Sequence, residues 1–181
     1  ALFFSTIEHK LFSDAPNETE RAEFVKVAII YHYFAHYRKA VLEELGRLPG
    51  MELTLISGEE VNAPDLPILS AENSPSLVGV LANWLLVRNH WMLGDRLLWQ
   101  RGVLSKARGF DVIIVLGSVQ FLSTWCTMLM GKRRGQRVLV WTHGYYGNEG
   151  KLMRVARKLL YRMADATLLY GNHAKIIMER E

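Results

Sequence analysis

The sequence predicts an α/β protein with a Rossmann-like parallel sheet sandwiched by helices. Five short runs rich in Val, Ile or Leu recur along the chain, and segments with helical periodicity separate most of them. The runs are apolar without alternation, as expected for strands that are covered on both faces. Strands that alternate with helices imply parallel pairing through right-handed crossovers. Half of the 181 residues are hydrophobic, which is sufficient for a full core.

The elements follow one another in a regular order. The predicted strands are Val25–Tyr31, Leu53–Ile56, Val112–Leu116, Val138–Trp141 and Ala166–Tyr170. The predicted helices are Tyr37–Leu48, Leu77–Arg88, Ser123–Lys132 and Lys151–Ala164, and Trp91–Arg108 is interpreted as an amphipathic, basic stretch. Three prolines indicate an irregular loop over 61–76. Residues 1–23 are expected to be a loosely ordered extension, and 24–181 the Rossmann-like domain.

The uncharged stretch Val112–Met130 must also be tested as a membrane span, since Lys132 and two arginines follow it. Gly117, Ser118 and Gln120 interrupt its middle, however. A strand, a loop and a helix therefore explain this stretch better than a membrane span.

Composition gives weaker indications of compartment and partner. The net charge of +4 permits an anionic partner without identifying one. The single Cys126 excludes an internal disulfide, and residues 1–20 lack the apolar core of a signal peptide. A cytoplasmic protein is expected, with the inner face of the cytoplasmic membrane as a second location.

The loop that follows the first predicted strand is the first candidate site. Aromatic rings with polar tips, two histidines and an arginine suit a saccharide or lipid-linked acceptor, and the guanidinium could meet a phosphate. Its residues are Tyr31, His32, Tyr33, Phe34, His36, Tyr37 and Arg38. The alternative is that the loop contributes core residues and begins a helix. His32 and His36 are four residues apart, but no third ligand is evident, so no metal is predicted.

The sharpest signal is the segment after the fourth predicted strand, where His143, Gly144 and Tyr145 follow Trp141 and Thr142. A strand that runs into His-Gly places an imidazole at the mouth of the sheet, and glycine allows close approach. A capping histidine in a turn is the alternative. Ser118 and Asn172 are further cleft candidates after the third and last strands, although Asn172 would also make a good helix N-cap.

Several motifs are absent from the sequence. No GxGxxG follows the first strand, and there is neither a P-loop GxxxxGK[ST] nor a GxSxG nucleophile elbow. No cofactor is therefore expected in this chain.

One predicted helix combines a basic and an apolar stripe. The basic residues recur at steps of three and four and are Lys151, Arg154, Lys158 and Arg162. The apolar stripe is placed on the opposite side and consists of Leu152, Val155, Leu159, Leu160 and Met163. The basic residues could face anionic lipid headgroups, with an ordinary solvated face as the alternative. Nucleic acid is not expected, because the aromatic residues are not interleaved with the basic ones.

The order of these motifs resembles the N-terminal domain of family 4 (group 1) glycosyltransferases of the GT-B fold. The resemblance rests on three segments that together span most of 24–181: VKVAIIYHYFAHYRKAVLEEL, RGFDVIIVLGS and RVLVWTHGYYGNEGKLMRVARKLLYRMADATLLYGNHAKIIM. The first of them lacks the paired glycines that many relatives carry, which favours an acceptor role over diphosphate contact.

The resemblance implies a glycosyltransferase that moves a sugar from a nucleotide-sugar donor to a saccharide or lipid-linked acceptor, generally with retention and without a metal. His143 would be the catalytic residue beside the donor sugar, and the Tyr31–Arg38 loop and Tyr145 would bind the acceptor. The C-terminal donor-binding domain would be missing after Glu181, so this chain alone would be inactive, and the parent would serve polysaccharide or glycolipid synthesis. Two alternatives stay open: an acceptor-presenting, membrane-anchoring subunit of a split transferase, and a stand-alone Rossmann-like binding protein.

Overall fold

The computed structural model describes residues 24–58, 66–145 and 150–179. The strands are β1 (Val25–Ile30), β2 (Met51–Gly58), β3 (Asn83–Met92), β4 (Leu97–Arg101), β5 (Val112–Leu116), β6 (Arg137–Thr142) and β7 (Ala166–Leu169). The α-helices are α1 (Lys39–Gly46), α2 (Pro75–Val78), α3 (Val103–Lys106), α4 (Leu122–Arg133), α5 (Lys151–Arg162) and α6 (Asn172–Glu179), and a 3₁₀ turn, His36–Arg38, precedes α1. Residues 1–23 and the first part of the proline-rich loop lie outside the described residues.

The strands form one sheet in the order β4-β3-β2-β1-β5-β6-β7. All neighbours pair in parallel except β3 and β4, which are antiparallel. The chain therefore builds outward from β1 in one direction, returns, and builds outward from β5 in the other. This is the α/β, Rossmann-like class that the sequence predicts, with a strand-order reversal between β1 and β5 where such sheets bind ligands.

Helices cover both faces of the sheet because successive strand residues point to opposite sides. Val27 and Ile29 of β1 face α1, whose Leu42 and Leu45 are fully buried against them. Ala28 and Ile30 face the other layer, which α3, α4 and α5 build. The absence of alternation in the predicted strands is explained by this double burial.

A β-hairpin takes up the second half of the segment where a helix was predicted, Leu77–Arg88, of which only the first two residues are helical in α2. The amphipathic, basic stretch Trp91–Arg108 contains the end of β3, then β4 and α3. Strands β3 and β4 pair across a turn in which Leu93, Gly94 and Asp95 all have φ between 53° and 62°. Consecutive left-handed residues of this kind match the twist of antiparallel strands. Helical propensity is overridden here by pairing with β2, which β3 joins in parallel from Asn83 to Val87.

The hairpin curls over the sheet and reaches the start of α4. The backbone N–H of Leu98 donates to the carbonyl of Gln120 (3.1 Å), and that of Gln100 donates to the Ser123 hydroxyl (3.1 Å). These bonds attach the outer side of β4 to the loop that follows β5. The curl places the buried side chains of Asn89 and Gln100 near the carboxyl end of β1.

The uncharged stretch 112–130 forms β5, a loop and most of α4, as expected from its interruption. No helix among the described residues has the length and apolarity needed to cross a bilayer.

Helix α5 differs from its predicted orientation. The core contacts come from Leu160, Tyr161 and Arg157, whereas Leu152, Val155 and Leu159 of the predicted apolar stripe are exposed. The prediction assumed that the most apolar face of an amphipathic helix covers the sheet. Here the buried face is narrow and includes an arginine and a tyrosine.

Candidate functional site

The candidate site lies where three strands of the sheet end on the α1 side. Tyr31 follows β1, Trp141 is near the end of β6, and Tyr170 follows β7. The Tyr31 and Trp141 rings meet edge to face with centroids 5.9 Å apart, and the Tyr31 and Tyr170 hydroxyls are 3.4 Å apart. Parallel strands bring their carboxyl ends to one edge, so residues far apart in sequence converge here.

Arg38 lies at the centre of these rings. Its Cζ is 4.5 Å from the ring centroid of Tyr31, 5.0 Å from Trp141, 5.1 Å from Tyr170 and 5.4 Å from Tyr37. We call Arg38 and these four rings the arginine cage. Each distance is within the range at which a cation is attracted to the face of an aromatic ring.

Within the described part of the chain, the guanidinium of the cage is buried without a carboxylate partner. Arg38 is 6% exposed, and none of the ion pairs formed among the described residues involves it. Its Nη1 atom is buried and has no hydrogen-bond partner in that part of the chain. Because a guanidinium stays protonated at any ordinary pH, a full positive charge is held inside the edge of the sheet.

The arginine cage is buried on the side of the sheet and reaches solvent on its other side. Tyr31 and Trp141 are each 2% exposed, whereas Tyr170 is 37% and Tyr37 60% exposed. Burial raises the pKa of the Tyr31 hydroxyl well above its ordinary value, so this phenol stays protonated. Solvent therefore reaches the cage past Tyr37 and Tyr170.

His143 forms the outer wall beside Tyr170. The two rings stack with centroids 4.1 Å apart and an interplanar angle of 18°, and Tyr170 stacks in turn on Trp141 at 5.6 Å. Partial burial, and then the positive charge of Arg38, lowers the pKa of His143. The imidazole is consequently neutral at pH 7, when it can donate and accept a hydrogen bond.

The segment that carries His143 is held by a hydrogen-bonded triangle. The Thr142 hydroxyl and the Tyr161 hydroxyl are 2.8 Å apart, and Tyr161 donates to the Gly144 carbonyl (3.1 Å). Gly144 has φ +85°, a conformation that side chains rarely adopt, so the turn after His143 requires glycine.

A second polar cluster lies on the opposite side of β1. His32 contacts the rings of Tyr33, Phe121 and Trp91, and its Nδ1 is buried with no hydrogen-bond partner among the described residues. Burial, and then the charge of Arg38, lowers the pKa of His32 from 6.5 to about 4. The backbone next to it is fixed by Asn89, which donates to the His32 carbonyl (2.9 Å).

Gln100 connects the hairpin to Tyr31 of the arginine cage and to Asn89 beside the His32 cluster. Its Nε2 donates to the Tyr31 carbonyl (3.1 Å) and to Asn89 Oδ1 (3.1 Å). The curled hairpin thereby braces the end of β1 that carries the cage.

The structure brings some predicted site residues together and separates others. Tyr31, Tyr37, Arg38 and His143 converge at the arginine cage. Phe34 is a core residue, 1% exposed and stacked on Tyr31, and His36 is exposed beside Tyr37.

The remaining candidates lie outside the arginine cage. His32 and Tyr33 belong to the second cluster, and Tyr145 packs on Tyr161 on the other face of the sheet. Ser118 lies in the turn after β5, where its N–H donates to the Leu116 carbonyl. Asn172 begins α6, and its side chain lies outside the described residues. The four basic residues Lys151, Arg154, Lys158 and Arg162 all lie on α5.

Sequence reasoning did not place Trp141 and Tyr170 in the site, and it missed the polar residues of the hairpin. The signal for the first two was present, since each is an aromatic residue at the end of a predicted strand. Asn89 and Gln100 carried no comparable signal. Asn89 falls between the predicted helix Leu77–Arg88 and the stretch Trp91–Arg108, and Gln100 lies within that stretch, which was interpreted only as amphipathic and basic. No group of three or more metal-ligating side chains gathers within the described ranges.

Comparison with known proteins gives little family information. No family model matches the chain, and no curated protein does. Among solved structures, it is similar to a dodecameric FMN-dependent UbiX-like decarboxylase from Escherichia coli O157:H7, with 12% identity, a TM-score of 0.49, and coverage of 82% of this chain and 83% of that one. It is also similar to the MAR1 ribonuclease from Caenorhabditis elegans, with 10% identity, a TM-score of 0.41, and coverage of 88% and 83%.

These findings contradict the resemblance to group 1 glycosyltransferases. Neither similar structure is a glycosyltransferase, so the predicted family, the sugar-transfer function, the enzyme class and the assignment to polysaccharide synthesis were wrong. The motifs that carried the resemblance, a strand followed by His-Gly and an aromatic loop after β1, are explained by the Rossmann-like sheet itself.

The cofactor prediction is corrected as well. The sequence was expected to hold no cofactor, with a nucleotide-sugar donor bound in a complete enzyme, whereas one of the two similar structures is FMN-dependent. That dependence is a property of the neighbour, and at this level of similarity it is not extended to the present chain.

Proposed function

We propose that this chain is a stand-alone Rossmann-like binding protein that takes a small anionic ligand at the arginine cage. The observation that carries the proposal is the buried guanidinium of Arg38, which among the described residues has a hydrogen-bonding nitrogen without a partner and forms no ion pair with a carboxylate. Residues 24–181 would form the binding domain.

Charge balance favours an anion over a neutral ligand. A buried charge is costly unless it is paired. Each desolvated cation–π contact offsets about 2 kcal/mol or more of that cost, but the rings carry no counter-charge. A carboxylate or a phosphate would supply the missing counter-charge and could accept hydrogen bonds from the fork of the guanidinium.

The outer wall of the cage favours a ligand with a flat ring next to its anionic group. Tyr170 and His143 already stack on each other, and Tyr37 is mostly exposed. Offset stacking on such rings contributes about 0.5–1.5 kcal/mol beyond the burial of area. The neutral His143 could in addition hydrogen-bond a hydroxyl of the ligand.

Calorimetric titration with two probes tests the proposal. Inorganic phosphate supplies only the anion, and phenyl phosphate adds a ring, so both are expected to bind and phenyl phosphate more tightly. Arg38→Gln should weaken both by about tenfold to a hundredfold, as expected for the loss of charge-assisted hydrogen bonds. Arg47→Gln is the control, because Arg47 is an exposed arginine that pairs with Glu44 away from the cage.

Thermal unfolding of the same variants separates binding from structure. If Arg38 only stabilises the fold, Arg38→Gln will lower the melting temperature while neither probe binds the unaltered protein. That result would refute the anion site.

A further inference from the structure

Helix α5 carries two parallel stripes of different chemistry. Lys151, Arg154 and Lys158 follow one another at steps of three and four, and Arg162 continues the series. Leu152, Val155 and Leu159 repeat the same steps one residue later. A helix turns by about 100° per residue, so the apolar stripe lies directly beside the basic one.

The apolar stripe faces away from the core. Leu152 is 85% exposed, Val155 66% and Leu159 55%, and Leu152 is the most exposed large hydrophobic residue of the described chain. Leu160 and Tyr161 hold the helix on the sheet from its other side. Three aliphatic side chains on one line of an exposed helix form a patch, which differs from the single exposed apolar residues that most surfaces carry.

The basic stripe has no acidic residue beside it within the sequence of α5 itself, KLMRVARKLLYR, so no ion pair within the helix offsets it. Lys151 also occupies the first turn, where the helix dipole disfavours a positive charge. Like charges at steps of three and four repel one another as well. A surface that concentrates positive charge at such a cost suits an anionic partner.

We propose that α5 docks this protein on an anionic lipid surface. In this arrangement the Leu152–Val155–Leu159 stripe enters the boundary between headgroups and acyl chains, and the basic stripe meets the headgroup phosphates. Charge alone would also suit nucleic acid or an acidic protein. The adjacent aliphatic stripe favours lipid, because it offers no ring for base stacking and matches an acyl interior.

Co-sedimentation with vesicles tests this proposal on the full chain. The protein should bind vesicles of phosphatidylcholine and phosphatidylserine in equal parts, bind phosphatidylcholine alone far less, and be released as salt is raised. Replacing both Leu152 and Leu159 with Gln should reduce binding by about tenfold or more, since two leucines lose their burial. Both residues are exposed, so the fold is expected to survive the substitutions. Far-ultraviolet circular dichroism of the variant checks this expectation.

Two matched variants serve as controls. Leu86→Gln alters another exposed leucine, on β3, and Arg96→Gln removes a positive charge from the hairpin turn. Both should bind the mixed vesicles like the unaltered protein. Lys158→Gln combined with Arg154→Gln should weaken binding and flatten its dependence on salt.

Other outcomes overturn the proposal. Failure of the full chain to bind the mixed vesicles, or equal binding by the Leu152→Gln, Leu159→Gln variant, rules out lipid docking through α5. If the unaltered protein sediments as a dimer and this variant as a monomer, the stripe is instead covered by a second copy. None of these results depends on Arg38, so the anion site and the lipid surface are tested separately.

Discussion

At the scale of single residues, Arg38 defines the candidate site because it contacts the surrounding aromatic rings and its charge affects both nearby histidines. It contacts four rings, and it contributes to the lowered pKa of both His143 and His32. Among the described residues, the ring faces leave Nη1 of the guanidinium without a hydrogen-bond partner. Under the proposed function, this nitrogen is the donor that an anionic ligand would meet.

His32 should make the stability of the protein depend on pH. Its pKa is about 4 in the folded state against 6.5 in the unfolded chain, so the unfolded state binds the extra proton first as the pH falls. The free energy of unfolding should then decrease between about pH 6.5 and pH 4, by about 3 kcal/mol from this residue. Urea unfolding across this range should show a smaller decrease in His32→Phe.

His36→Phe is the matched control, since His36 belongs to the same loop but is exposed. It should keep the pH dependence of the unaltered protein. Equal slopes in His32→Phe and the unaltered protein would show that His32 is not buried in its neutral form.

The sequence predicted the parts of the site that lie in continuous motifs. Tyr31, Arg38 and His143 stand in two segments rich in aromatic residues and glycine, and each was selected from its position after an apolar run. What the sequence did not contain was the pairing between them, because the convergence of β1, β6 and β7 depends on the strand order. Tyr170 becomes part of the site only once β7 lies beside β6.

At the scale of elements, the strands covered on both faces were predicted well and the hairpin was not. Strand β5 coincides with its prediction, β1 and β7 differ by one residue at one end, and β6 extends one residue further at each end. A continuous apolar run has few alternative explanations, which is why these strands were predicted well. Burial alternates along the middle of β3, but the strand exposes Leu86 and buries Asn89. Its apolar and polar residues therefore do not follow the alternation that a sequence pattern would reveal. Its strand conformation comes from pairing with β2 and β4, which local propensity does not report.

Close contact between β5 and β6 predicts a strict requirement for glycine at position 117. A Cβ atom there would lie 2.7 Å from both Val140 Cγ1 and Thr142 Cβ, and these β-branched side chains are buried in the sheet. Gly117→Ala should therefore destabilise the protein by about 1–3 kcal/mol, measured by urea unfolding.

Gly79→Ala provides the comparison. An added Cβ at Gly79 meets only ordinary contacts, of 3.5 Å and 3.7 Å to carbonyl oxygens. The expected change is within about 0.5 kcal/mol, as for most substitutions away from buried features. Equal losses at both positions would contradict the close approach of β5 and β6.

At the scale of the whole molecule, the parallel sheet determines where function can be located. The order reverses between β1 and β5, and the segments after β1, β6 and β7 carry the candidate residues. The sequence was sufficient for the fold class, and it placed its strand-end candidate residues at the edge where the structure gathers the arginine cage. It was not sufficient for the family, because one fold of this class hosts many unrelated functions.

The rate of backbone amide exchange should depend on the position of each strand in the sheet. Strands β1, β5 and β6 are paired on both sides, so their amides should exchange most slowly, close to the limit set by global unfolding. The amides of β7 are paired with β6 on one side and should exchange faster. Mass spectrometry of peptides from pulse-labelled protein measures both. Faster exchange in β5 than in β7 would contradict this topology.

The curl of the hairpin has a consequence for behaviour in concentrated solution. An unprotected outer strand is a template on which another chain can add, and this is a common beginning of ordered aggregates. Here part of the outer row of backbone groups on β4 is occupied by Gln120 and Ser123, and β7 offers only four residues at the other margin. The sheet thus presents little unpaired backbone on which another chain could add. Loss of the bonds that hold β4 to Gln120 and Ser123 should promote fibril formation while the core of the sheet is still folded.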